Sequence, residues 1–150
     1  MSEEKLYQSV LLTPEQVLQV WPQIEGSISD SLAHSVNELT TFEICKQALD
    51  GKIFIWLTLD DTNKIACVTT TRFLHYKKTK VLQIITMAAI NAKLPNMFEQ
   101  HETLERFAKH NGCSGIQAWG RKGWLRRLKP LRSSKDKPYE LKYFVFHMEI

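Results

Sequence analysis

Residues 112–124, Gly-Cys-Ser-Gly-Ile-Gln-Ala-Trp-Gly-Arg-Lys-Gly-Trp, constrain the fold more than any other stretch of the chain. Asn111 and Gly112 close a preceding helix, since a left-handed terminal residue suits glycine. Ile116 to Trp119 then form a short apolar run, Gly120 and Gly123 flank a turn, and a basic helix follows over 122–131. A strand held between two helices so late in a 150-residue chain leaves few arrangements for what precedes it.

The upstream pattern supplies the rest of a sheet. Residues 6–12 read as a first strand. Thr13-Pro14-Glu15-Gln16 is a helix start, with an N-cap threonine, proline at the first helical position and glutamine three residues after the cap. Val17, Val20, Ile24 and Ile28 line one helical face, which Pro22 is expected to kink or break. Residues 27–37 read as a loop or ragged helix. Thr40 with Glu43 starts a second helix, with Phe42, Cys45, Ala48 and Leu49 as its apolar face and Gly51 as its stop. Three strands follow at 53–59, 65–73 and 81–89, joined by short turns and so antiparallel. Asn96 and Glu99 open a helix presenting Met97, His101, Leu104 and Ala108, with Phe107 beside them. The basic helix turns Trp124, Leu125, Leu128 and Leu131 inward, and residues 139–150 are predicted to be a long final strand. These elements make one α/β (α+β) domain spanning 1–150: a mixed, mainly antiparallel sheet with helices on both faces.

Charge is unevenly distributed. Residues 1–60 carry three basic and nine acidic side chains, whereas residues 121–150 carry nine basic and three acidic. Arg121, Lys122, Arg126, Arg127, Lys129, Arg132, Lys135 and Lys137 against Asp136 give +7 in seventeen residues. That density suits phosphate or an acidic protein, and equally a solvated helix face. Arg121, Lys122, Arg126, Arg127, Lys129 and Arg132 are the candidate partner or phosphate contacts. No apolar run reaches membrane-spanning length, and the polar start Met1-Ser2-Glu3-Glu4-Lys5 is not that of a secretory signal. Cys45, Cys67 and Cys113 are far apart and read as reduced thiols. His34, His75, His101, His110 and His147 show no metal-ligand spacing, and no nucleophile has an adjacent base, so neither metal ligands nor catalytic residues are assigned.

The element order resembles the GNAT fold of N-acetyltransferases over nearly the whole chain. In that family a loop of the pattern Gln/Arg-x-x-Gly-x-Gly/Ala holds the acyl-coenzyme A pyrophosphate at a helix N-terminus. The matching segment here, Ala88-Ala89-Ile90-Asn91-Ala92-Lys93-Leu94-Pro95-Asn96, has no glycine. The family's general-acid tyrosine on the fourth helix also has no counterpart, because Trp124, Leu125 and Leu128 occupy that region. A narrower resemblance rests on residues 104–113 followed by Gly120-Arg121-Lys122-Gly123-Trp124-Leu125-Arg126-Arg127-Leu128. It is similar to GNAT-like proteins of tailed bacteriophages, encoded among head and tail morphogenesis genes. That resemblance implies a non-catalytic virion-associated or assembly protein, located in the virion or host cytoplasm. Its partners would be other phage virion proteins, with a nucleic-acid contact through the basic helix and no membrane association. No cofactor is implied. The alternatives are an acyl-CoA-dependent N-acyltransferase with a degenerate coenzyme loop, using Ala89, Asn91, Lys93 and Asn96, and a nucleic-acid-binding or host-takeover factor.

Overall fold

A computed structural model describes residues 6–33, 39–90, 97–120, 124–142 and 146–150. Five strands form one sheet in the order β1-β2-β3-β4-β5: Gln8–Leu11, Ile53–Leu59, Ile65–His75, Lys80–Ala89 and Gly115–Ala118. The first four are antiparallel neighbours, and β5 lies parallel to β4. The near-continuous apolar sequence of β2 follows from burial on both faces, since alternate side chains enter opposite layers.

On one face, Ile53, Ile55 and Leu57 of β2 and Val68 of β3 pack against α1 (Pro14–Leu32) and α2 (Thr41–Leu49). Val17, Ile24 and Ile28 of α1 and Ile44 and Ala48 of α2 are the buried anchors. Thr13 starts α1 with a complete capping box: the Thr13 hydroxyl accepts from the Gln16 N–H, and the Gln16 side-chain oxygen accepts from the Thr13 N–H. Pro22 does not break the helix, contrary to the sequence expectation, and residues 27–32 continue it. Pro22 and Leu18, whose carbonyl loses its donor, are both exposed, so water can serve that carbonyl. Buried Ile24 and Ile28 hold the following turns. In α2 the inward face is Ile44, Ala48 and half-buried Cys45, whereas Phe42 is 74% exposed. Two positions separate Phe42 from Ile44, which places them on opposite sides of a helix.

On the other face, Trp56, Leu82 and Ile84 pack against Leu104 and Ala108 of α3 (Phe98–His110). Phe54, Trp56 and Phe73 surround Phe107, with ring centroids 5.0 to 5.7 Å from it. A polar network crosses this layer. Gln100, 1% exposed, donates from Nε2 to the Thr58 and Thr69 hydroxyls at 3.1 and 2.6 Å. Thr58 is hydrogen-bonded to the Ser9 hydroxyl, which donates to Glu99 at 2.8 Å. The network therefore ties α3 to β1, β2 and β3 and fixes how the helix sits along the sheet.

Two C-terminal expectations are corrected. Among the described residues the basic helix α4 spans Trp124–Leu128, and it stops short of the expected Leu131 because Pro130 has no N–H to continue it. Leu131 is buried beyond its end, but Leu125 is 43% exposed. No strand forms among the described residues of 139–150, and Phe146, Met148 and Ile150 are exposed. An alternating apolar pattern makes a strand only where tertiary contacts favour it. Among the described residues, no helix is long and apolar enough to cross a membrane.

Replacing Gln100 by Ala leaves two buried hydroxyls short of a partner and opens a void. Unfolding in urea is expected to show a loss of roughly 2–4 kcal/mol with an unchanged slope.

Candidate functional site

The site begins at an interruption in β4. Val81, Leu82, Gln83 and Ile84 pair in parallel with Gly115, Ile116, Gln117 and Ala118, and there the β4–β5 ladder ends. The β3–β4 register shifts at the same point, with Thr71 opposite Ile84 but Thr70 opposite Thr86, so Ile85 is the extra residue of a bulge. A bulge bends its strand and raises the local twist. Residues 85–89 continue alongside β3, and among the described residues no strand pairs with their other edge.

The phase of that edge follows from one hydrogen bond. The Ile90 N–H donates to the Ala66 carbonyl at 3.0 Å, so even-numbered residues beyond the bulge direct their main chain at β3. Met87 and Ala89 therefore direct their N–H and C=O groups into the gap between β4 and β5. Ala89, a sequence candidate, is thus placed by its main chain at the end of this edge. Its fellow candidates Asn91, Lys93 and Asn96 lie outside the described residues. Met97, the N-cap of α3, lines the same cavity as Met87, and its own side chain makes no capping hydrogen bond. Glu99, in the first turn, is engaged with Ser9 and Thr103.

A small cavity adjoins the point of parting. Ile84 and Met87 line it from β4, Gln100, His101 and Leu104 from α3, and Trp124, Arg127 and Leu128 from α4. Leu131 and Tyr139 close it, and its volume of about 10 Å³ gives room for roughly one water. His101 is 8% exposed, its Nδ1 lies 3.4 Å from the Tyr139 hydroxyl, and its Nε2 is buried. Burial holds the His101 ring below the usual imidazole range, against the pull of Glu105, the Arg132 main chain and Glu102. Burial, with Glu105 nearby, raises the Tyr139 phenol. The sequence pattern marks His101 as inward-facing, but Gln100 and Tyr139 carry no such signal, because their roles depend on contacts across the fold.

Glu105 and Lys109 bring the chain beyond α4 to this place. Glu105 accepts from the Ser134 N–H and hydroxyl at 2.8 and 2.9 Å, and Lys109 is hydrogen-bonded to the same hydroxyl. Burial raises the Glu105 carboxyl, but these bonds and Lys109 outweigh it and hold the group below the usual range. Trp124 is seated on Gly120, where an added Cβ would come within 2.7 Å of the indole Cδ1.

The basic candidates are dispersed by comparison. Arg126, Arg127, Lys129 and Arg132 are exposed, and only Arg127 lines the cavity. Arg121 and Lys122 lie outside the described residues. Cys67 is buried with its thiol pushed up to about 11 by burial, whereas Cys45 and Cys113 are half-buried. No group of acidic, histidine or cysteine side chains suited to a metal ion occurs among the described residues.

Solved structures share this architecture. An aminoglycoside N-acetyltransferase, AAC(6')-Iy, in complex with coenzyme A, superposes with a TM-score of 0.66 at 9% identity, over 99% of this chain and 98% of that one. An aminoglycoside acetyltransferase from an uncultured soil metagenomic sample, in complex with sisomicin, gives 0.64 at 13% identity over 96% of each chain. A ribosomal-protein-alanine N-acetyltransferase from Brucella melitensis gives 0.64 at 8% identity, over 97% and 99%. The chain has a GNAT-like fold. No protein-family model matches its sequence, and no curated protein matches it. Within the GNAT-like fold, the β4–β5 gap and the adjoining cavity are the candidate site.

Two measurements check this geometry. Gly120→Ala is expected to displace Trp124, altering tryptophan emission and costing about 1–3 kcal/mol. The folded His101 ring resists protonation, so the unfolded chain binds the extra proton below the usual 6.5. The ring's effect on stability is level above that pH, and stability falls as the pH drops beneath it. Urea midpoints measured from pH 7 to 5 are expected to fall less steeply in His101→Gln.

Proposed function

We propose that the chain binds an acyl-coenzyme A in the β4–β5 gap and transfers the acyl group to an amine. The observation that supports this most is the main-chain edge at Met87 and Ala89, with which no described strand pairs, beside a cavity that Met97 at the start of α3 also lines. The pantetheine arm of coenzyme A carries two amides on an extended chain. Such a chain can add to an unpaired strand edge as another strand would, exchanging N–H and C=O bonds. At the α3 end, main-chain N–H groups of the first turn and the helix dipole favour an anion such as the coenzyme's phosphates. Glycines are dispensable if the phosphates meet these amides from the helix side. Their absence from residues 88–96 therefore removes one mode of contact and leaves the strand-edge mode intact.

The acetyltransferase structures that share the fold favour this reading over a virion component. Nothing in the comparisons points to a phage source. Exposed Arg126, Arg127, Lys129 and Arg132 do not by themselves specify a nucleic-acid or protein partner.

Calorimetry with acetyl-coenzyme A tests the reading. Binding with a micromolar dissociation constant is expected. Ala89→Pro removes one N–H facing the gap without removing a bond to β3, and is expected to weaken binding roughly tenfold. An absence of binding at millimolar coenzyme would refute the proposal.

A further inference from the structure

We propose that Arg72 and Gln117 form a carboxylate site beside the β4–β5 gap and that the amine acceptor is a free amino acid; the acceptor role rests on the acyl-coenzyme A reading above. Sheet register brings the site together. Arg72 is paired with Ile53 on one side and Gln83 on the other, and Gln83 is paired with Gln117. Paired residues share a face, so Arg72, Gln83 and Gln117 stand in one row on the face that Ile53 presents to α1 and α2. The Arg72 Nε donates to Gln83 Oε1 at 2.7 Å, which orients the guanidinium. Arg72 is half-buried, and among the described residues its two Nη groups have no acceptor and no carboxylate pairs with it. Arginines withdrawn from water are ordinarily paired with an anion. The Gln117 Oε1 accepts from the Tyr76 hydroxyl at 2.9 Å and from the Trp119 indole N–H at 3.4 Å. Those two donors assign the oxygen end of the amide and leave its NH2 group as a donor with no acceptor among the described residues.

With Nε occupied, Nη1 and Nη2 are the free end of the guanidinium fork, which matches the two oxygens of one carboxylate. One guanidinium and one neutral amide suit the single charge of a carboxylate better than the double charge of a phosphate. Lys77 and Lys78, exposed on the β3–β4 turn, add to the positive potential. Gly115, two residues before Gln117 on the same face, brings no side chain, and a Cβ there would meet only Val81 Cγ1 at 3.9 Å. Ile84 and Ala118 are the last pair before the strands part, so the Arg72–Gln83–Gln117 row lies one pair earlier. Along an extended strand Gln83 stands roughly 7 Å from Ile85, where the gap opens. The helix α3 and the cavity lie on the opposite face. A coenzyme held at α3 leaves the α1/α2 face to the acceptor. A molecule with its carboxylate at Arg72 and its amine at the gap needs only a few bonds between the two, as in an α-amino acid or a short ω-amino acid.

The test uses the full-length protein and two readouts. NMR follows the Arg72 Nε–H and Gln117 NH2 resonances, without coenzyme, on titration with glycine, β-alanine and 4-aminobutyrate and with the carboxamide of each. Thiol release from acetyl-coenzyme A is then measured with the same amines. The amino acids are expected to move both resonances and the carboxamides to leave them in place. The preferred amino acid is expected to show a KM about tenfold or more below that of its carboxamide. Arg72→Gln should raise that KM roughly 10–100-fold, with kcat and coenzyme affinity within about twofold of the parent. Arg72→Lys keeps the charge without the fork and should recover only part of the loss; it gives the same comparison if Arg72→Gln does not fold. Equal use of amino acids and carboxamides would overturn the proposal. So would Gln117 shifts that persist unchanged in a folded Arg72 variant, or resonances that answer to inorganic phosphate and to no amino acid. In each of these cases coenzyme binding would leave the acyl-coenzyme A reading standing. A wild-type protein that binds no acetyl-coenzyme A would overturn that reading and the acceptor role with it, while the resonances still decide the carboxylate site.

Discussion

The structure depends on β4 serving two neighbours over unequal lengths. It pairs with β3 from end to end, but with β5 only over Val81–Ile84. One extra residue, Ile85, separates the two regimes. Hydrogen bonding explains the consequence: main-chain groups that pair with β5 before the bulge lose that partner after it, and groups removed from water need another. The position of α3 is coupled to this split. Gln100 anchors the helix on Thr58 and Thr69, and the next residue, His101, then falls beside Ile84 and Met87. Stability and site geometry therefore share one buried amide.

Much of the fold was legible in the sequence. The capping box at Thr13, the Thr40 cap, the glycines at positive φ and the period change at Ile53 all marked true boundaries. These signals are local, so a local reading suffices. The failures share a different cause. Pro22 was tolerated because its unpaired carbonyl partner faces solvent, and Phe42 yielded the inward place to Ile44, which only the packing of α2 on the sheet decides. The alternation over 139–150 satisfied the period of a strand without fixing a neighbour for it.

The candidate site was less legible. The sequence carries neither phosphate-binding glycines at 88–96 nor a tyrosine on the basic helix. The structure offers main-chain groups at Met87 and Ala89 instead, which no side-chain motif can signal. It also brings Tyr139 to His101 across 38 positions of sequence. The density of basic residues after 121 was the most conspicuous feature of the sequence, but of the described ones only Arg127 reaches the cavity.

The account's central claim is that the β4 edge beyond Ile85 receives the coenzyme. Residue-resolved amide hydrogen exchange with and without coenzyme A tests it most directly. The account predicts slowed exchange at the Met87 and Ala89 amides, with Ala88 and Ile90, already directed at β3, little changed. Saturating coenzyme that leaves Met87 and Ala89 unprotected, or protects only the basic segment from Trp124 to Arg132, would contradict it.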